Sequence, residues 1–196
     1  MASTKIEWTD YSWNPVTGCT PVSPGCKNCY AKRMTNRLRG RFGYPKDDPF
    51  KVTLREDRLE EPLHWKKPRR VFVCSMGDLF HKDVPDEFID RILAVIALCP
   101  QHTFLGLTKR ADRQLRYIAD EPVSSVGDAA KDILGEPVTA GDWPLPNLWL
   151  GVSVEDPGQY ERVYWLKQTP AAVRFLSLEP MLAGMTLTPD TLKHID

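Results

Sequence analysis

From residue 69 onward, apolar positions alternate between two periods. "RRVFVCSM" (69–76) is a short β-branched run that predicts a buried strand. "PDEFIDRILAVIALC" (85–99) follows, with Phe88, Ile89, Ile92, Leu93, Val95 and Ile96 at helical spacing and acids in the first turn. Pro100 ends that helix. "HTFLGLTKR" (102–110) predicts a second strand and "ADRQLRYIAD" (111–120) a short helix. Residues 121–146 are rich in Gly, Pro, Ser and Asp and predict a loop excursion. "NLWLGVSVE" (147–155) is a third strand, "GQYERVYWLKQT" (158–169) a third helix and "AVRFLSLEP" (172–180) a fourth strand. The tail to Asp196 has weak helical character.

Apolar strands alternating with helices predict an α/β fold with parallel strands and helical crossovers. The length suits a single domain over 1–196. Each predicted strand ends in polar groups: Ser75 and Asp78, then Thr108, Lys109 and Arg110, then Ser153 and Glu155, then Ser177 and Glu179. In barrels and open sheets alike, the carboxyl ends of parallel strands carry the ligand site. Any one of these residues is explained as well by a loop start or a helix cap. Four strands repeating the pattern point to a shared site, and lean toward a barrel or half-barrel.

Composition narrows the partners. Lys plus Arg number 26 and Asp plus Glu 26, so no bulk charge draws the chain to nucleic acid or membrane. No apolar run is long enough to span a bilayer, and "MASTKIEWTD" lacks the apolar core of a signal peptide. The expectation is a cytoplasmic protein, whose five cysteines stay reduced and favour metal binding over disulfides.

"GCTPVSPGCKNCYAKR" (18–33) places Cys19, Cys26 and Cys29 in a C-x6-C-x2-C spacing. Gly18 and Gly25 each precede a cysteine, and Pro21 and Pro24 stiffen the loop between. Thiolates are soft ligands that select zinc or iron–sulfur clusters over magnesium or calcium. Structural zinc wants a fourth ligand, from Cys74, His64 or His81. A four-thiolate cluster needs Cys74 or Cys99, which read better as core residues. A three-thiolate cluster leaves one iron open. Three unliganded cysteines are the remaining alternative.

Two basic clusters could track phosphates. Arg33, Arg37 and Arg41 share one face if "AKRMTNRLRGRF" (31–42) is helical, and "WKKPRR" adds Lys66, Lys67, Arg69 and Arg70. A solvated surface is the plainer account. His81 beside Asp78 could carry a proton, though a loop histidine suffices. Core packing accounts for Trp8, Trp13 and Trp65.

"KIEWTDYSWNPVTGCTPVSPGCKNCYAKRM", "LEEPLHWKKPRRVFVCSMGDLFHKDVPDEFIDRI", "PQHTFLGLTKR", "LPNLWLGVSVE" and "RFLSLEPML" together resemble a phage and prophage three-cysteine family of largely unassigned function. That family is itself distantly similar to radical S-adenosylmethionine enzymes such as spore photoproduct lyase. The resemblance implies a partial (βα) barrel with parallel strands. It also implies a four-iron, four-sulfur (4Fe-4S) cluster on Cys19, Cys26 and Cys29, in the loop after the first strand, with S-adenosylmethionine at its open iron. Tyr30 stands where such enzymes often place an aromatic, and Ser75, Asp78, Lys109, Ser153, Glu155 and Glu179 become candidates for holding the cofactor. The first gap here is six residues where radical enzymes usually have three. The family's last strand, with a Gly-Gly-Glu-Ser-Gly stretch, and its last helix have no counterpart before Asp196, so a barrel open at one edge is expected. Nucleic acid or nucleosides are the implied substrates, in the host-cell cytoplasm. The alternative is a non-catalytic phage binding module that keeps a cluster or zinc for structure and contacts a host protein.

Overall fold

Short strands open the chain in the computed structural model, which describes residues 2–3, 6–120, 122–135 and 143–196. β1 (Ala2–Ser3) pairs antiparallel with β2 (Tyr11–Trp13). β3 (Val16–Thr17) follows, then the cysteine segment and α1 (Tyr30–Arg37). β4 (Thr53–Leu54) returns to pair antiparallel with β3. None of these short strands carries a readable period, because two or three residues are too few to show alternation.

The regular part begins with β5 (Arg70–Val73) and α2 (Asp86–Ala97). Asp86 and Glu87 occupy the first turn of α2, where they offset the positive end of the helix dipole. Phe88, Ile89, Ile92, Leu93, Val95 and Ile96 are all buried on it. Each such side chain stabilises the fold by roughly 1.5–3 kcal/mol. β6 (Thr103–Thr108), α3 (Ala111–Ala119), α4 (Val123–Leu134), β7 (Leu148–Ser153), α5 (Glu161–Gln168) and β8 (Val173–Ser177) complete the pattern. A single turn, α6 (Pro189–Leu192), lies in the tail.

β2, β5, β6, β7 and β8 form a five-strand parallel sheet with β1 added at one edge. The spatial order follows the chain order without a reversal. One face packs Val71, Val73, Phe104, Leu148, Leu150 and Val152 into the main core, where α2 and α5 also bury their apolar sides. On the other face Phe72, Leu105, Trp149 and Val173 fall in one register row. Trp8 packs against this face with tilted rings, 4.9 Å from the Phe72 ring and 6.1 Å from Phe175. A cavity of about 950 Å³ opens on this second face, lined by Trp8, Trp149, Phe175, Met181 and Glu179 among others.

Two expectations need correction. The stretch 121–146 contains the twelve-residue helix α4, whose Val126, Ala129 and Ala130 pack into the core. Its Gly127 and paired serines lower helix propensity, and the tertiary contact with α2 overrides that. Residue 121 and residues 136–142 of that stretch lie outside the described residues. The basic helix also stops sooner than expected. α1 ends at Arg37, so Arg41 does not continue the face of Arg33 and Arg37.

Candidate thiol site at the strand ends

The β3–β4 pair fixes the start of the cysteine loop. Gly18 N donates to Met76 O at 2.9 Å, and Cys19 N to Phe50 O at 3.1 Å. Gly18 has φ of +86°, and a Cβ there would fall 2.1 Å from Lys51 O. Only glycine lets the chain pass between these two segments. Farther on, Pro24–Cys26 forms a 3-10 turn, with Cys26 N donating to Ser23 O at 3.0 Å. Cys29 stands at the N-cap of α1. Tyr30, the first helical residue, donates its hydroxyl to Ser75 O just beyond β5. The whole loop therefore lies against the carboxyl ends of the parallel strands.

Two buried carboxylates tie it there. Asp78 accepts from Thr108 Oγ1 at 2.7 Å, Phe80 N at 3.0 Å and Arg110 Nη1 at 2.8 Å. The same guanidinium reaches Cys19 Sγ at 3.3 Å and Thr20 O at 2.9 Å. Arg110 thus bridges the ends of β5 and β6 to the cysteine loop. His81 is fully buried beside it, and Thr20 Oγ1 lies 2.8 Å from its Nε2. His81 Nδ1 accepts from Asp83 N at 3.1 Å, so a neutral ring carries its proton on Nε2 and donates to Thr20. Burial, then the charge of Arg110, hold this imidazole below its ordinary value.

Glu155, beyond β7, anchors the other half. Its side chain is fully buried, with Lys109 Nζ at 2.9 Å from Oε1 and Arg162 Nη1 at 2.8 Å from Oε2. Ser23 donates its hydroxyl to Oε1, and a Cβ on Gly25 would come within 2.6 Å of that oxygen. The loop glycine therefore seats the turn directly on the carboxylate. Burial would raise the Glu155 carboxyl, but Ser23, Lys109 and Arg162 outweigh it and hold it below the ordinary carboxylate value. It is ionised at neutral pH.

The three thiols are free and half-buried. Burial, and after it the Asp78 carboxylate, push the Cys19 thiol up to about 11 despite Arg110. For Cys26, burial acts upward, but hydrogen bonds with the Val22 and Ser23 backbone and the Ser23 hydroxyl, with the Lys109 charge, hold the thiol below its ordinary value. Among the described residues, no three Cys, His, Asp or Glu side chains converge at metal-binding distance. The thiols share one loop and one end of the sheet, but their sulfurs are not gathered. Cys74 and Cys99 are buried, with thiols pushed up by burial to about 12 and about 11.

The remaining candidates divide. Ser75, Asp78, Lys109, Ser153 and Glu155 do meet near the loop; Ser153 contributes its carbonyl to Arg162 at 2.8 Å. Glu179 does not join them and lines the rim of the apolar cavity, exposed. The basic clusters approach from opposite ends: α1 starts at the carboxyl ends, whereas Arg70 begins β5. Arg69 lies over the Tyr11 ring at 3.7 Å, and Arg70 N donates to Asp10 at 2.8 Å. Trp13 and Trp65 are core residues as expected.

Sequence reasoning missed Ser23, Thr20, Arg162 and Asn14, which accepts from Met76 N at 2.8 Å. Only Arg162 carried a signal: it shares the buried side of α5 with Val163 and Leu166, where an unpaired charge would be costly. The others are short polar residues in loops, where any role is open.

Fold and site together define an α/β protein with a thiol-bearing loop held over its parallel strand ends by two buried ionic clusters. The chain belongs to the family described as protein of unknown function DUF5131, which it matches over residues 3–196. Comparison with curated proteins and with solved structures finds no match. Among the described residues, no helix is long and apolar enough to cross a membrane.

Proposed function

We propose that this is an iron–sulfur protein of radical S-adenosylmethionine-like ancestry, built as a partial (βα) barrel and acting on nucleic acid or nucleosides in the cytoplasm of a phage-infected host. The observation that carries the reading is the placement of Cys19, Cys26 and Cys29 on one loop tied to the carboxyl ends of β5, β6 and β7 in a parallel sheet. The unreversed strand order suits a part-barrel.

The donor chemistry fits a cluster by type. Three soft thiols lie on one loop, with Arg110 Nη1 at 3.3 Å from Cys19 Sγ and the Lys109 charge helping to lower the Cys26 thiol. Cys19, Cys26 and Cys29 would hold it, and when bound it supplies one-electron chemistry to S-adenosylmethionine at an open iron. The protein's own groups act around it. Arg110 and Asp78 orient the Cys19 end of the loop, while Glu155 seats the Cys26 end through Ser23. Because Glu155 is occupied by two cations, its role is to position the loop rather than to receive a ligand.

Anaerobic purification followed by iron, sulfide and zinc analysis tests this. Iron and sulfide with release of 5′-deoxyadenosine on adding reductant and S-adenosylmethionine support it. Stoichiometric zinc without iron overturns it. Cys26→Ala abolishes bound iron; full retention refutes the ligand assignment. A second reading is a non-catalytic module, with a structural cluster or zinc, that contacts a host protein. Exposed Met181 and Leu182 beside the apolar cavity favour it, and iron without cleavage would put it ahead.

A further inference from the structure

Charge along the chain is far from even. Between Tyr11 and Lys46 there is no acidic residue, and seven basic ones fall between positions 27 and 46. The chain as a whole is neutral, so the remainder carries the compensating negative charge. Lys27, Lys32, Arg33, Arg37, Arg41 and Lys46 are all exposed, and none forms an ion pair among the described residues. Arg39 holds the segment's shape, donating to Lys46 O at 2.7 Å and Asp47 O at 3.0 Å. A folded surface of seven cations without counter-charges is unfavourable to itself. A polyanion relieves that repulsion.

Rings stand among these cations. Phe42 is 73% exposed and Tyr30 48%, with Met34 between them in sequence. Phe42 gains little from the fold at that exposure, yet its backbone is at φ of +51°, a region costly for a residue with a Cβ. Arg55 and Arg58 hold it there by donating to its carbonyl at 2.9 and 3.1 Å. The ring is therefore presented to solvent from a fixed backbone. Exposed rings interleaved with arginines suit stacked bases and phosphates, since every base offers a π face. An acidic peptide would use the charges and leave the rings idle. A membrane surface would want a continuous apolar stripe, and α1 has only eight residues.

We infer that residues 27–46 form a binding face for single-stranded nucleic acid. It rests on the nucleic-acid part of the reading above and not on the cluster. The face begins at the thiol loop, because Tyr30 is tied to Ser75 at the carboxyl end of β5. A strand bound along it would run toward Cys26 and Cys29. The cluster of Lys66 and Lys67 lies at the opposite end of β5 and takes no part.

The test is a fluorescence-anisotropy titration with a mixed-sequence single strand of about 20 nucleotides, on protein of measured iron content, at several salt concentrations. Binding should persist whatever the iron content, so failure of the cluster reading and failure of this one are separable. Phe42→Ala should weaken binding about tenfold through lost stacking. The triple variant Arg33→Ala, Arg37→Ala, Arg41→Ala should make the log–log salt slope shallower by about 2. Lys66→Ala with Lys67→Ala should change neither quantity. The proposal is overturned by absence of binding, by an unchanged salt slope in the triple variant, or by equal affinity for polyglutamate or phosphatidylserine vesicles.

Discussion

Lys109 Nζ lies 2.9 Å from Oε1 of Glu155, joining the end of β6 to the segment after β7 inside the protein. Arg162 takes the other oxygen, and Ser23 of the thiol loop shares the first. Glu155→Gln keeps the shape but leaves two cations without their counter-charge. It should destabilise the fold by about 3 kcal/mol, read from urea unfolding. The loop should loosen with it, so Cys26 should be alkylated faster in the folded variant. Unchanged alkylation would mean that Ser23 and Gly25 hold the turn without the carboxylate.

Asp78→Asn tests the other anchor. The carboxylate accepts from a hydroxyl, backbone N–H groups and Arg110, whereas an amide turns a donor toward some of them. A loss of about 2–3 kcal/mol is expected. Limited proteolysis should show earlier cutting between 19 and 29. Wild-type resistance there would show that Arg110 is not what restrains the loop.

Gly18→Ala is the sharpest steric test. The added Cβ would sit 2.1 Å from Lys51 O, and φ of +86° is already unfavourable for alanine. Backbone must move, because no flexible side chain can yield. A loss of roughly 2–4 kcal/mol is expected by thermal or urea unfolding. Gly135→Ala serves as contrast: φ is +74° but nothing lies within 4 Å, so about 1 kcal/mol should be lost.

Acid should weaken the fold through histidine. Burial, then the charge of Arg69, hold His102 below the ordinary 6.5, and His81 is lowered as well. The unfolded chain therefore takes up these protons first. The stability they contribute is full above pH 6.5 and is lost as pH falls toward the lowered folded values. Unfolding free energy measured from pH 8 to pH 5 should fall, and His102→Gln should flatten part of that slope. A slope identical in the variant would assign the effect elsewhere.

The middle of the chain was readable because its elements are long enough to show a period. Ile89, Ile92, Leu93 and Ile96 mark α2 unaided, and the apolar runs around Phe72, Leu105 and Leu150 mark three strands. The helix at 123–134 was not readable, since Gly127, Ser124 and Ser125 argue locally for a loop and only the packing of Val126 and Ala130 argues against. The thiol loop showed its chemistry through Cys19, Cys26 and Cys29, and the polar strand ends showed where a site would stand.

By itself, then, the sequence determined the alternation of strand and helix, the cysteine spacing and the residues at the strand ends, because each is a local pattern of side chains. The tertiary structure alone decided which of those residues meet. Ser23 reaches Glu155 across 132 positions and Arg110 reaches Cys19 across 91, and neither neighbour leaves a mark on the other's local sequence. It also separated Glu179 from the group and placed Lys66 and Arg33 at opposite ends of the sheet. A strand's direction and its place in the sheet set these outcomes, and both depend on long-range packing that no short window of residues contains.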